Sequence, residues 1–547
     1  MRAMAATALV LALLAAGPAA ADQHYAWRIT KTYWSTADEA GFEHFVTRIG
    51  ESGCSSSESC MRSKANPYRK SDPRWFDVDL DCAKLPYFLR AYYAWKNGLP
   101  FAYVDAVSGS ADDLRYGKTP NRAVSREDIV DRGHGIDGPR ALYRMIDTVY
   151  SATYRTDAAE RRGVLSDFYS PAIALKSIRP GTVIYDINGH VGIVYKVDDD
   201  GRIYYMDAHP DFSITHGVYG AQFGQSPMRL GGGFKNWRPF RLVHAHQNDA
   251  GDWMGGNMAY AENDQIPDFS LVQYLGTESN PRREVKGAHY VYNDVNLGFY
   301  EYVRAAMSGG KVTYNPVYEL HMTMRTLCND LNDRAQYVNQ AIAAGVENKP
   351  HPGHLPDNIY GSDDAEWESY ATPSRDARLK AAFVQFHKNL AGMIRMWIDR
   401  DPRIVYDGLF LKKDLEKAYA QESKTCTITY LNSAMHPVTM DFDSMMHRLF
   451  RMSFDPYLCI EHRWGAVGAE AATCPDGERK EAWYAALQRL RNQPERTYNV
   501  PMGFSLEDLQ HRVKGSGIDA PPDMDIKGLI DNMGSRVPFT GMSPVGR

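Results

Sequence analysis

Three short stretches hold the side chains able to do covalent chemistry. Asp81-Cys82-Ala83-Lys84-Leu85 puts a thiol at the start of an apolar helix, and Gly189-His190-Val191-Gly192-Ile193-Val194 puts an imidazole at the start of a strand. Ile203-Tyr204-Tyr205-Met206-Asp207-Ala208-His209 then places two polar groups on the following strand. A cysteine facing a histidine is the pairing used for nucleophilic acyl chemistry: the imidazole takes the thiol proton and the sulfur attacks a carbonyl carbon. A thiol near the positive end of a helix dipole is expected to favour its thiolate, and the Cys82 N–H at the same helix start is a donor for an oxyanion. Asp207 and His209 share one face of their strand, and either could orient the imidazole of His190 as the third member of a triad. The spacing leaves both open.

Those groups need a helix and a hairpin to position them. Leu85, Phe88, Leu89, Tyr92 and Trp95 recur at helical spacing, and Asn97-Gly98-Leu99-Pro100 ends the helix. Pro86 is tolerated only in a first turn, so the helix starts close to Cys82. Gly181–Tyr185, His190–Val197 and Arg202–Asp207 read as strands, with Asp198-Asp199-Asp200-Gly201 as a hairpin turn that brings His190 opposite residues 207–211. Arg241–His244 adds a further strand. Residues 103–180 are rich in Gly, Asp and Arg, with one helix over Gly138–Arg155. Beyond about residue 285 the chain turns helical. Thr372 caps a helix with Pro373 at its first position, and Leu379, Phe383, Phe386, Leu390, Met393 and Trp397 form its buried stripe. The tail after about Lys514 is rich in Gly, Pro and Met and is expected to be extended.

The N-terminus has the pattern of an export signal: Arg2, the short apolar run Ala8–Leu14, and the small residues Ala19-Ala20-Ala21, with the mature chain starting at Asp22. No stretch is long enough to span a bilayer, so the expectation is an exported bacterial protein, periplasmic or secreted. In an oxidising compartment seven cysteines cannot all pair. Setting Cys82 aside leaves six, which allow 15 connectivities. The ease of closing short loops favours Cys54–Cys60 and Cys459–Cys474, with Cys328–Cys426 remaining. A net charge of −5, 44% hydrophobic and 24% charged residues indicate a packed globular chain, and no basic stretch suggests nucleic acid. The 34 tyrosines suit carbohydrate or peptide contact surfaces as well as core packing. At 547 residues, two domains are expected.

Asp-Cys opening a helix, Gly-His-Val-Gly-Ile opening a strand and a polar residue on the next strand resemble the NlpC-type papain-like cysteine peptidases of the bacterial cell envelope. Pro180-Gly181-Thr182-Val183-Ile184 is similar to the strand that precedes their histidine. The resemblance covers roughly residues 75–215. It implies an α+β fold in which a helix-borne cysteine packs on an antiparallel sheet, followed here by a mainly α-helical domain. Taken with the patterns read along the rest of the chain, it gives a signal peptide (1–21), a papain-like domain (22–245) with a large insertion (about 103–178), a linker or irregular stretch (246–284) and a mainly helical domain (285–547). It also implies cleavage of an amide in peptidoglycan stem peptides, with Cys82 as nucleophile, His190 as base and acid, and Asp207 or His209 as orienter. An alanine after the third residue favours Asp207, and the frequency of histidine in that role favours His209. No cofactor or metal is implied. The alternatives are acyl transfer at the same site, or an idle papain-like module used for binding, with a protein partner possible on the helical domain. The chain departs from the family in three ways. Ala83-Lys84 follows the cysteine instead of Ser-Gly, no upstream Tyr-x-x-Gly-Gly segment is found, and 107 residues lie between Cys82 and His190.

Other histidines have less context. His244/His246 and His351/His354 have metal-compatible spacing but no acidic or cysteine partner nearby in sequence, so they read as loop histidines. Gly231-Gly232-Gly233 lacks the strand-to-helix setting of a phosphate loop. Glu366-Trp367-Glu368 reads as an exposed acidic patch.

Overall fold

Alternation of apolar side chains decides how the central sheet is used. The computed structural model describes residues 25–161, 163–210, 212–359, 364–494 and 500–533, so the signal segment 1–21 lies outside the described residues. Its strands are β1 (Phe168–Tyr169), β2 (Val183–Asp186), β3 (His190–Val197), β4 (Ile203–Ala208), β5 (Ile214–Val218) and β6 (Gly233–Trp237). They form one six-stranded sheet in the order β1-β6-β2-β3-β4-β5, with each neighbouring pair antiparallel. Val183, Tyr185, Val191, Ile193, Met206 and Ala208 pack on one side with residues of α1 (Thr36–Glu51) and α2 (Lys84–Lys96). Ile184, Val194, Tyr205 and Phe234 pack on the other side with residues of α3 (Phe299–Met307). The period of two along each strand produces these two faces. The chain is thus mixed α and β with antiparallel sheets, as expected.

Helix α2 is almost wholly buried along its length. Arg90 locks it to α1 through two hydrogen bonds to Glu39 (2.7 and 2.6 Å), with its guanidinium 3.4 Å from the centre of the Trp34 ring. The helix proper begins at Lys84, two residues later than Cys82, because Asp81 does the capping: its carboxylate accepts from the N–H groups of Ala83 and Lys84, both at 3.0 Å.

Several boundaries differ from expectation. The insertion opens with a hairpin, Phe101–Ser108 against Arg122–Ile129, whose bulges near Ala106 hide its alternation. The helix expected to run to Arg155 stops at Thr148 and is followed by a separate 3-10 turn, Ser151–Tyr154. Residues 246–284 are not a free linker. Asn257–Tyr260 pairs with Phe240–Val243, and the buried Gln273 amide bonds both backbone groups of Phe234 on β6. Residues 290–307 belong to the second face of the sheet and not to the helical half. The described part of the tail includes a short helix, Ile526–Asp531, that packs into the helical core.

The helical half is built on α4 (Pro316–Ala343), α5 (Pro373–Ile398) and α6 (Leu411–Thr425). Leu379, Phe383, Phe386, Leu390 and Met393 are buried in it, whereas Trp397 is 39% exposed and stands outside the stripe. The disulfides Cys54–Cys60, Cys328–Cys426 and Cys459–Cys474 are all present, and Cys82 is the free cysteine. Trp367 is buried, with Glu366 paired to Lys349 and Glu368 to Arg115, so this triplet is not an exposed acidic patch. Among the described residues no helix is long and apolar enough to cross a membrane.

One ion pair fixes α5 on α4. Arg334 donates to both oxygens of Asp376 (2.8 and 3.2 Å) with both side chains 1% exposed. Asp376→Asn should lower stability by about 3–5 kcal/mol, measured as a drop in the urea midpoint, because it strands a buried guanidinium. Replacing both partners by apolar residues of similar volume, Arg334→Met with Asp376→Leu, should recover most of that loss.

Candidate functional site

The turn before β3 is where the sequence candidates meet. Gly189 adopts φ +84°, and a Cβ there would come within 2.8 Å of the Tyr116 ring. A side chain at this position would therefore be both strained and blocked. Asp186 closes the turn, accepting from the N–H of Asn188 at 3.0 Å through its carboxylate and from Gly189 at 2.9 Å through its carbonyl. Arg155, fully buried, donates to the carbonyl of Ile187 (2.6 Å) and to that of Gly117 (2.8 Å), tying the turn to the insertion. Neither Arg155 nor Tyr116 carried a sequence signal, since each acts from a loop far away along the chain.

On the sheet, His190 and Asp207 form a direct hydrogen bond between Nε2 and Oδ2, both residues buried. Thr215 is the cross-strand partner of Asp207, and its hydroxyl donates to Oδ1 at 2.6 Å. His209 stands one step further out. Its Nε2 lies 3.0 Å from the Thr215 hydroxyl and 3.9 Å from Asp207, and its ring runs nearly parallel to that of His190 at 5.8 Å. Of the two orienters left open by the sequence, Asp207 is the one that holds His190, while His209 reaches the carboxylate through Thr215.

Cys82 reaches the same corner from the other side. It is half-buried, and its thiol donates to the carbonyl of Gly189 at 3.6 Å. The sulfur therefore faces main chain next to His190, and the thiol proton goes to a carbonyl instead of the imidazole. Strand alternation accounts for this. Val191 and Ile193 face α2, whereas His190 falls on the opposite set with Phe223, whose ring it stacks on at 6.2 Å. Burial pushes the thiol up to about 12; the Asp81 and Asp207 carboxylates add to this, and Arg378 together with a hydrogen bond from the Val191 N–H opposes it. The expected helix-start thiolate is thus outweighed by desolvation.

The imidazoles are held neutral. Burial and the charge of Arg378 hold His190 below its ordinary value against the pull of Asp207. Burial also takes His209 down to about 3, helped by Arg375, His190 and Arg378. Burial alone would raise Asp207, but its interactions with His209, His190 and Thr215 outweigh it and hold the carboxyl well below the usual range. Asp207 stays ionised with neutral donors pointing at it.

The helical half closes this corner, which the sequence did not foretell. Arg375 on α5 donates to Nδ1 of His209 (3.2 Å) and lies 3.1 Å over the Tyr337 ring, and Tyr337 on α4 meets the His209 ring edge-on at 5.6 Å. Donation into Nδ1 leaves the His209 proton on Nε2, facing Thr215, so the donors run in sequence from Arg375 to Asp207. Asp330 on α4 is pushed up to about 7 by burial and by the Asp207 carboxylate, against the charge of Arg378.

His351 and His462 take structural roles. His351 is no surface loop residue: its Nε2 bonds Asp455 at 2.7 Å and its ring stacks on Trp483. Cys459, His462, Cys474 and Asp476 bring four ligand-type atoms within 4.8 Å of one another, but the two sulfurs are joined to each other. No protein-family model, curated protein or solved structure matches this chain.

Two measurements check these electrostatics. In Arg375→Gln the His209 resonance in NMR should titrate upward from about 3, since one cause of its depression is gone. For Asp330, the folded carboxyl ionises near 7 and the unfolded one near 3.8, so ionisation penalises the fold increasingly from pH 4 to 7. Asp330→Asn should therefore melt close to wild type at pH 4 and above it at pH 8.

Proposed function

We propose that this chain is an exported, papain-like thiol hydrolase of the NlpC type that cleaves an amide bond in peptidoglycan stem peptides. The observation that carries the proposal is Cys82, the cysteine left outside the disulfides, whose thiol bonds the carbonyl of Gly189, the residue before an Asp-held histidine. Three disulfides and the lack of a membrane-spanning helix among the described residues are compatible with export.

The chemistry follows from the tautomer. With Nε2 of His190 engaged by Asp207, Nδ1 is the nitrogen left to serve the thiol. Catalysis requires the Cys82 side chain, which rests on the Gly189 carbonyl, to swing past the strand start and meet Nδ1, which then takes its proton as sulfur attacks the substrate carbonyl. The imidazolium, stabilised by Asp207, returns the proton to the leaving amine, and water then releases the acyl group from sulfur. The resting pair is neutral, so the proton moves during attack and not before it.

The raised thiol and its bond to Gly189 also favour a second reading, an idle module that binds without cutting. Digestion of purified muropeptides, followed by mass spectrometry, separates the two. The hydrolase reading expects a new amine and a new carboxylate, lost in Cys82→Ala and His190→Ala. Asp207→Ala should lower kcat/KM by about 10²–10⁴, and His209→Gln by about tenfold or less. Cleavage that survives Cys82→Ala, or none on soluble muropeptides and intact sacculi alike, sinks it. Transfer of the acyl group to an added amine would identify the acyltransferase alternative. In the free protein, iodoacetamide should label Cys82 only slowly at pH 6 and faster toward alkaline pH.

A further inference from the structure

A second cluster of reactive side chains lies in the helical half, around the loop closed by Cys459–Cys474. Cys459, His462, Cys474 and Asp476 each bring one ligand-type atom within 4.8 Å of all the others. Nδ1 of His462 lies 3.1 Å from Oδ2 of Asp476 and 3.7 Å from the sulfur of Cys474. A tetrahedral zinc ion, with bonds of about 2.3 Å to sulfur and 2.0–2.1 Å to nitrogen or oxygen, has ligand–ligand edges of roughly 3.3–3.8 Å. Two of those edges are already near their length, and only the covalent bond keeps the two sulfurs from spreading to theirs.

A plain disulfide needs neither an imidazole nor a carboxylate beside it, yet both are built in here. The side chains of His462 and Asp476 are 5% and 2% exposed. The imidazole lies flat on the Tyr484 ring at 3.9 Å between centroids, which fixes its plane. Its far nitrogen, Nε2, faces a carboxylate oxygen of Glu481 at 3.5 Å. A carboxylate on the distal nitrogen is what orients a metal-bound imidazole and raises its basicity. Asp476 is held as well: it accepts from the Cys459 N–H at 2.9 Å, and Lys480 lies 3.7 Å from its other oxygen.

We propose that Cys459, His462, Cys474 and Asp476 form a structural zinc site when the bond between the two sulfurs is reduced. A dithiol delivers two electrons and two protons to the bridge and leaves as its own disulfide. Zinc then displaces both thiol protons and takes Nδ1 of His462, whose ring proton moves to Nε2 facing Glu481, with the Asp476 carboxylate as fourth ligand. Two thiolates and an imidazole suit zinc, and four protein ligands leave no open position for catalysis. The cross-link serves the fold in either form. Ile460 and Trp464, just after Cys459, are buried in one core of the helical half, and Trp483 and Leu487, just after Asp476, in the other. Nothing in this site depends on the chemistry at Cys82.

The test uses the mature full-length chain, oxidised or reduced with a phosphine, and zinc or cobalt(II) as the probe. The reduced chain should bind one zinc that the oxidised chain does not, with two sulfurs at about 2.3 Å in X-ray absorption. Cobalt in its place should show thiolate charge-transfer bands. Reduction also frees the other disulfide cysteines, so variants locate the metal. Cys474→Ser and His462→Gln should each lower affinity by at least about tenfold, and Cys328→Ser with Cys426→Ser should leave it unchanged. Glu481→Gln, at a half-exposed position that spares all four ligands, should weaken zinc by about tenfold. Cys474→His removes the bridge without a reductant, keeps a donor at that position and leaves the other two disulfides in place. It should bind zinc at least about tenfold more tightly than Cys474→Ala, which decides the matter even where full reduction unfolds the chain. Zinc bound equally by the oxidised and reduced chains, zinc unaffected by Cys474→Ser and His462→Gln, or none in either the reduced chain or Cys474→His overturns the site.

Discussion

Keeping one buried carboxylate ionised is the constraint that organises this molecule. Asp207 sits 4% exposed near the end of its strand, one strand in from the sheet edge, where an isolated charge is strongly disfavoured. The protein answers with donors: His190 from β3, Thr215 directly across on β5, and His209 behind Thr215. Each exists at its place because the antiparallel register puts it there. A slip of one residue between β4 and β5 would turn Thr215 to the opposite face and leave one carboxylate oxygen bare. The two helices on the first face and the short helix on the second hold that register through their apolar contacts.

The same constraint joins the two halves of the chain. His209 donates inward only as one tautomer, and Arg375 imposes that tautomer from α5. The position of Arg375 is set in turn by the buried Arg334–Asp376 pair that seats α5 on α4. A hydrogen-bonded network therefore runs from Arg375 on α5 through His209 and Thr215 to the Asp207 carboxylate that holds His190, with neutral donors between the cation and the anion. That choice matters in a dry interior, where two protonated imidazoles beside two guanidinium groups would repel strongly.

Local pattern made part of this legible in the sequence. The two short-loop disulfides, the strand after Gly189 and the hairpin at Asp199 rest on residues close in sequence, where spacing and turn chemistry speak directly, and Cys328–Cys426 followed as the pair that remained once Cys82 was set aside. The choice between Asp207 and His209 needed the third dimension, because the direct bond from His190 to Asp207 decides it, and Thr215, which sets His209 one step back, carries no mark as a lone threonine on a strand. Arg155, Tyr116, Asp330 and Arg375 were hidden for a related reason. Each acts on the site from dozens to hundreds of residues away, and each lies in a stretch whose local pattern describes something else. Arg375 stood in a helix start that was read correctly, but a helix start says nothing of what its side chains face. At the thiol two effects compete, and the helix start that favours a thiolate is visible in the sequence whereas the desolvation at the sheet corner that outweighs it is not.

The Arg375 contact bears on how such a chain can be taken apart. Residues 25–307 contain the sheet, the thiol and both imidazoles, and would look like a self-sufficient unit. Cut there, His209 would lose the cation on its Nδ1 and the Tyr337 ring that shields it, and would become a protonatable group opening to water beside Asp207. The fragment would carry Cys82, His190, Asp207 and His209 in a different charge state. Modularity in sequence is thus no guide to modularity in function here, and the helical half belongs to the site as much as the strand that bears His190.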